Sequence, residues 1–127
     1  MKRNGALMAV LFLVPAAIHL MPLIGLTGTE GLARLYGLDF SDPNLEILMR
    51  HRAVLFGMVG ALLAGAAFHA ALRSAAVAVG LISLLSFLAL SWGVGGYNAA
   101  LHRVVVVDLV AVACLVAAAL LHRRRDA

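Results

Sequence analysis

In residues Leu101–Leu121, LHRVVVVDLVAVACLVAAALL, every position after the first helical turn is apolar except Asp108. A helix of about 20 such residues crosses a bilayer core of ~30 Å. Three further stretches of similar length, 6–26, 53–72 and 75–93, contain no Asp, Glu, Lys or Arg. The sequence therefore predicts an all-α bundle of four transmembrane helices in a single domain, residues 1–127.

The overall composition supports the same class of protein. Hydrophobic residues make up 64% of the 127 residues and charged residues only 13%, whereas soluble domains carry about 25% charged residues. The net charge of +4 arises mainly near the chain ends and at Arg73, where basic side chains can meet anionic lipid headgroups. No aromatic residues lie among the terminal arginines, so we expect membrane lipids as partners and no nucleic acid.

The basic residues also predict the orientation, because short cytoplasmic connections are enriched in Lys and Arg. Placing both termini in the cytoplasm puts six basic residues on that side: Lys2, Arg3, Arg73, Arg123, Arg124 and Arg125. The other side then holds Arg34, Arg50, Arg52 and Arg103, which have acidic residues nearby. The first apolar stretch exceeds the 7–15 residues that are usual for a signal peptide, so we expect it to be a retained helix.

The first outer connection contains signals for a further helix. Thr29 is a suitable N-cap for a short helix over 30–36, and Gly37 is a suitable end. Its Leu32, Leu35 and Tyr36 fall on one face, as in a helix that lies at the membrane interface. The sequence therefore predicts a short outer interfacial helix.

The second long helix is predicted to begin outside the membrane. Asp42 can cap it and Pro43 suits its first position, and no later proline interrupts the chain up to Leu72. Thirty residues span ~45 Å at about 1.5 Å each, so the helix should project on the outer side. Its small residues, Gly57, Gly60, Ala61, Ala64 and Gly65, form a stripe that permits close packing, which favours contact within the bundle over a dimer interface.

Asp108 is the strongest signal for a site. It lies about seven residues into the fourth helix, ~10 Å below the outer interface. A carboxylate at this depth should face the bundle, and it should either have a partner or be protonated. Two roles are open for it: a structural tie between helices, or a proton or ligand site. Arg103 lies on another face of the same helix, so we expect Arg52 or His19 to be the partner.

Other polar residues lie toward the same outer ends. We predict an outer pocket that binds a small or lipidic ligand and is lined by His19, Arg50, His51, Arg52, Tyr97, Asn98, His102, Arg103 and Asp108. Arginines suit an anionic or carbonyl group, such as a lipid headgroup or a quinone-like molecule. No pair among His19, His51 and His102 has the i,i+4 spacing of a helical metal site, so we expect no metal and no other cofactor.

The chain also resembles a known group of proteins. The resemblance rests on residues 35–38 (LYGL), 42–45 (DPNL), 48–57 (LMRHRAVLFG), 95–98 (GGYN) and Asp108. In these residues the chain is similar to small bacterial four-helix integral membrane proteins of unknown function with a DoxX-like layout. The resemblance covers nearly the whole chain. Its most specific part is the Arg-His-Arg stretch with the Asp-Pro before it. The resemblance implies a four-span fold in the bacterial inner membrane.

Proteins of this layout are often labelled phosphopantetheine adenylyltransferase. This chain contains no His-x-Gly-His motif and no glycine-rich turn after a strand, so the sequence does not support that activity.

Two functions other than ligand binding stay open. The formation of a homo-oligomer stays open as well. One is a small proton-coupled transporter, although small multidrug exporters carry a glutamate in the first helix where this chain has His19. The other is a membrane enzyme that uses His19 or His51 with Asp108 as acid and base. Cys114 is the only cysteine, which excludes a cycling cysteine pair.

Overall fold

The computed structural model describes residues 2–126, and the side chains of residues 4–124. Its five α-helices are α1 (Lys2–Leu20), α2 (Thr29–Tyr36), α3 (Pro43–Phe68), α4 (Arg73–Val94) and α5 (Ala99–Asp126). Two 3₁₀ segments, Met21–Thr27 and Ala70–Leu72, follow α1 and α3. Over residues 2–126 the chain forms no β-strand, and the predicted all-α class is confirmed.

Four helical stretches are long and apolar enough to cross a membrane: Asn4–Thr27, Pro43–Phe68, Ala70–Val94 and Ala99–Arg124. The second of these helices, α3, ends at Phe68 and does not extend to Leu72 as predicted. His69 leaves the helical conformation with φ −116° and ψ 107°, and the Arg73 Nε atom donates to the Ala66 carbonyl at 3.2 Å. This side-chain bond satisfies a carbonyl at the helix end.

The first apolar stretch is not a single α-helix. Its α-helical part ends at Leu20, and residues 21–27 wind more tightly as a 3₁₀ segment. Pro22 lies at the start of this segment, where its missing N–H removes a donor that an α-helix would use.

The core lies between α1, α3, α4 and α5, where Met8, Phe12, Leu63, Leu84 and Leu115 are fully or almost fully buried. Close approach of α3 to the first stretch depends on its glycines. A methyl group at Gly60 would lie 2.8 Å from the Leu20 side chain and 3.2 Å from the Ala16 carbonyl oxygen. One at Gly57 would lie 2.7 Å from Leu23. These two residues of the small-residue stripe therefore pack within the bundle.

A second, smaller cluster closes the end of the bundle that carries α2. Leu32, Tyr36 and Phe40 are buried there, so the apolar face of α2 packs against the rest of the protein. Gly37 ends α2 in the left-handed conformation with φ 65°, as predicted. The predicted Thr29 cap is wrong, because α2 already includes this residue and no side chain caps its start.

The start of α3 follows the sequence signals. The Asp42 carboxylate accepts a hydrogen bond from the Asn44 backbone N–H at 2.8 Å, and Pro43 occupies the first position. The helix is therefore capped at its predicted residue.

Candidate functional site

A small cavity beneath α2 brings together three of the predicted site residues. His19 from α1, Arg52 from α3 and Asp108 from α5 line it, and Tyr36 from α2 closes it. Its volume is about 60 Å³, and its other walls are apolar: Ile18, Met21, Pro22, Leu35, Phe56, Val104 and Val107. The structure thus places a carboxylate and a guanidinium group around one enclosed space.

Asp108 faces this cavity without a direct partner. It is only 6% exposed, yet among residues 4–124 it makes no hydrogen bond and no ion pair within 4.0 Å. Every fully enclosed side-chain nitrogen or oxygen in that part of the chain has a hydrogen-bond partner, so the Asp108 oxygens must be accessible from the cavity. Asp108 thus forms neither a hydrogen bond nor an ion pair within 4.0 Å with the expected partners, Arg52 and His19. Instead, Arg52 attracts the carboxylate across the cavity.

Arg52 is held in place by aromatic residues. Its Nη1 atom donates a hydrogen bond to the Tyr36 hydroxyl at 2.8 Å. Its guanidinium carbon lies 4.4 Å from the ring centre of Phe56, 5.5 Å from that of Tyr36 and 5.9 Å from that of Phe87. Such cation–π contacts stabilise a guanidinium group that is partly removed from water.

His19 serves as a link between helices. It is 1% exposed, and its ring nitrogens bond the Pro15 carbonyl at 2.9 Å and the Ser83 hydroxyl at 3.1 Å. A carbonyl can only accept, so Nδ1 donates to Pro15 and Nε2 is left to accept from Ser83. The bond to Ser83 on α4 links this helix to α1 across the bundle. Both nitrogens of His19 are thus in use.

A wider groove lies next to the cavity and shares two of its residues, Tyr36 and Arg52. The groove has a volume of about 360 Å³ and is lined mainly by apolar side chains from α3, α4 and α5. Its further lining residues are Leu38, Met49, Phe87, Leu90, Ser91, Val94, Gly95, Tyr97 and Leu101. Tyr36 and Arg52 therefore line both the cavity, which also contains His19 and Asp108, and the neighbouring groove.

Five of the predicted site residues line neither space. Arg50 bonds Glu46 and the Leu26 carbonyl, each at 3.1 Å. The His102 ring stacks on Tyr97 with centres 6.3 Å apart, and His51 and Arg103 are exposed. The fifth is Asn98.

Asn98 connects α2 to α5. Its carboxamide oxygen accepts from the Leu101 N–H at 2.9 Å, which caps α5, and its Nδ2 atom donates to the Tyr36 carbonyl at 2.8 Å. Because Tyr36 lines the cavity, this bond lets Asn98 hold Tyr36 in position without lining the site itself.

Replacing Asn98 with Ala should lower the free energy of unfolding by about 1–2 kcal/mol, because one cap and one further hydrogen bond are lost. Asn98→Asp retains the cap and removes the donor to Tyr36, so it should cost less. Thermal unfolding in lipid nanodiscs, followed by circular dichroism, measures both. Equal stability of Asn98→Ala and the parent protein would contradict the proposed connection.

Phe56, Phe87 and Tyr36 were not among the predicted site residues, and Tyr36 was expected only on the apolar face of an interfacial helix. A signal for Phe56 was present, because it follows Arg52 by four residues and such pairs are neighbours on a helix. No sequence signal assigns Phe87 or the Tyr36 hydroxyl to Arg52, since they come from other helices.

Comparisons with protein-family models, with curated proteins and with solved structures gave no match to this chain.

Proposed function

We propose that this protein resides in the bacterial inner membrane and binds a small lipidic molecule in the groove, with the polar head of the ligand at Arg52. The observation that carries the proposal is the position of Arg52 at the wall shared by the groove and the cavity. A guanidinium group has five N–H donors, and among the described residues only Tyr36 accepts from Arg52. The remaining donors can bind a carbonyl or acidic oxygen.

The rest of the groove suits a hydrocarbon chain. Leu90 and Val94 are 67% and 85% exposed, and in a membrane these positions of α4 would contact lipid. An apolar chain can therefore enter from the bilayer while its head reaches Arg52 and the Tyr36 hydroxyl. Pockets of this kind, mainly apolar with a few polar groups, are typical of small-molecule sites. A quinone-like molecule is one ligand with such a shape.

The native methionines provide a test. Met49 lines the groove, Met21 lines the cavity, and Met58 lies on a different surface of α3 and is 64% exposed. We expect the ¹³C-methyl signal of Met49 to shift saturably when 2-dodecanone is added to the protein in phosphatidylcholine nanodiscs. The Met58 signal should shift only in response to the change that the added ketone causes in the surrounding bilayer.

A bulky residue in the groove should abolish this shift. Leu90→Trp places an indole in the groove, and Ile82→Trp is its control because Ile82 lies on the same helix, is similarly exposed at 69% and lines none of these spaces. Saturable binding in Ile82→Trp but not in Leu90→Trp supports the proposal. Parallel, unsaturable shifts of Met49 and Met58 in the parent protein refute it.

The proposed orientation has its own test. After Cys114→Ala removes the only cysteine, single cysteines at Ser41 and at Ala127 should react from opposite sides of the membrane. We expect Ser41→Cys to be labelled from outside intact spheroplasts, and Ala127→Cys only after lysis. Labelling of Ala127→Cys from outside would reverse the orientation and place the groove on the cytoplasmic side.

A proton-coupled carrier is the second candidate, because Asp108 lies in the bundle with cavity-facing oxygens and no hydrogen-bond partner in the described part. The enzyme alternative has less support. His51 is exposed and lines neither space, and His19 already uses both ring nitrogens. Proton uptake by proteoliposomes under an applied gradient, lost in Asp108→Asn, would favour the carrier. A homo-oligomer and kinship with DoxX-like proteins remain proposals.

A further inference from the structure

The charge environment of Arg52 differs on its two sides. On the groove side it meets Phe87 and apolar residues, and the groove-lining residues include no other charged side chain. On the cavity side it faces Asp108. The cationic group that a ligand in the groove would meet is therefore backed by a buried anion.

Among the described residues that line the cavity, Arg52 and Asp108 are the only two with a charged side chain. From α1 the cavity receives His19, whose nitrogens are both bonded, and from α2 it receives Tyr36, whose hydroxyl accepts from Arg52. The 3₁₀ segment contributes only Met21 and Pro22, and α5 contributes valines beside Asp108. The charge of the guanidinium is thus compensated by one carboxylate across the cavity.

This compensation has a consequence for recognition. An anionic head in the groove would be attracted by Arg52 but repelled by Asp108, and both interactions are strong in a medium of low dielectric constant. The anionic head would also lose its hydration on entering the groove. The attraction by Arg52, reduced by the repulsion from Asp108, does not offset this cost. A carbonyl or hydroxyl oxygen accepts a hydrogen bond from Arg52 without this cost.

We propose that Asp108 determines the head-group preference of the groove, so that the site takes a lipid with an uncharged carbonyl or hydroxyl head and rejects one with an anionic head. This inference rests on the proposed function. It assigns to Asp108 a role in ligand specificity. Asp108 does not line the groove and acts on the ligand through its electrostatic interaction with Arg52.

Two probes with the same chain length test the preference in the unmodified protein. Dodecane-1-sulfonate carries a permanent anion and 2-dodecanone an uncharged carbonyl, and the Met49 methyl signal reports the binding of each in phosphatidylcholine nanodiscs. We expect the sulfonate to bind at least about tenfold more weakly than the ketone, a ratio equivalent to about 1.4 kcal/mol. A sulfonate that binds as tightly as the ketone overturns the inference while leaving the proposed function intact.

Substitution of Asp108 assigns the preference to this residue. Asp108→Asn should tighten sulfonate binding about tenfold, with a change of less than about threefold for the ketone. Asp108→Ser, which also removes the charge, serves if the first variant does not fold. Asp39→Asn removes an exposed carboxylate of the loop before α3 and should leave the ratio unchanged.

The outcomes separate the two proposals. An unchanged sulfonate-to-ketone ratio in both Asp108 variants overturns the role of Asp108. Absence of saturable binding by either probe, in the parent protein and in the variants, overturns the proposed function and with it the inference.

Discussion

Replacing Arg52 with Leu is expected to lower the free energy of unfolding by about 3 kcal/mol, because it leaves a buried carboxylate without its cation. Asp108 is 6% exposed and has no hydrogen-bond partner in the described part of the chain, so no other group would compensate its charge. The substitution also removes the bond to Tyr36 and the contacts with three aromatic rings. Thermal unfolding in nanodiscs, followed by circular dichroism, measures the loss.

The opposite substitution should cost less. Asp108→Asn leaves Arg52 half-buried with its bond to Tyr36 intact, and the amide retains hydrogen-bonding capacity. The double variant Arg52→Leu/Asp108→Asn should recover much of the stability lost in Arg52→Leu, because no unpaired charge remains.

Arg103→Leu is the matched control, because Arg103 is exposed at the start of α5. It should change stability by less than about 0.5 kcal/mol. Equal stabilities of the Arg52→Leu and Arg103→Leu variants would show that Asp108 does not depend on Arg52.

Replacing Gly60 with Val should destabilise the bundle by about 1–3 kcal/mol, the usual range for an overpacked core. Even its Cβ atom would lie 2.8 Å from Leu20 and 3.2 Å from the Ala16 carbonyl oxygen. The Leu20 side chain can rotate, but the carbonyl belongs to the backbone of α1. The helices must therefore move apart, and the cavity between α1, α3 and α5 should change with them.

Gly93→Ala separates this steric effect from the general effect of a helical glycine. Gly93 lies in α4, and a Cβ atom there meets nothing within 4 Å. Alanine should therefore be neutral or slightly stabilising, since it has the higher helix propensity. A Gly60→Val variant as stable as the parent protein would contradict the close packing of α1 and α3.

Part of the candidate site was predictable because depth in a transmembrane helix follows from residue number. Asp108 and His19 lie at matching depths by helical rise, Arg52 lies just above them on a side chain long enough to reach down, and the structure brings all three to one cavity. Their pairing was not predictable. Rotation of each helix about its axis decides which side chains touch, and the sequence of one helix does not define its rotation against another.

Three features of the fold follow from local sequence: the four apolar helices, the Asp42-Pro43 start of α3 and the Gly37 end of α2. These features depend on local backbone preferences and on the transfer of apolar residues out of water. Other features depend on how the helices pack: Tyr36 lines the cavity, and Ser83 binds His19. For the same reason Arg52 donates to Tyr36 while Asp108 lies across the cavity. These contacts join residues distant in the chain, and packing of side chains between helices selects them.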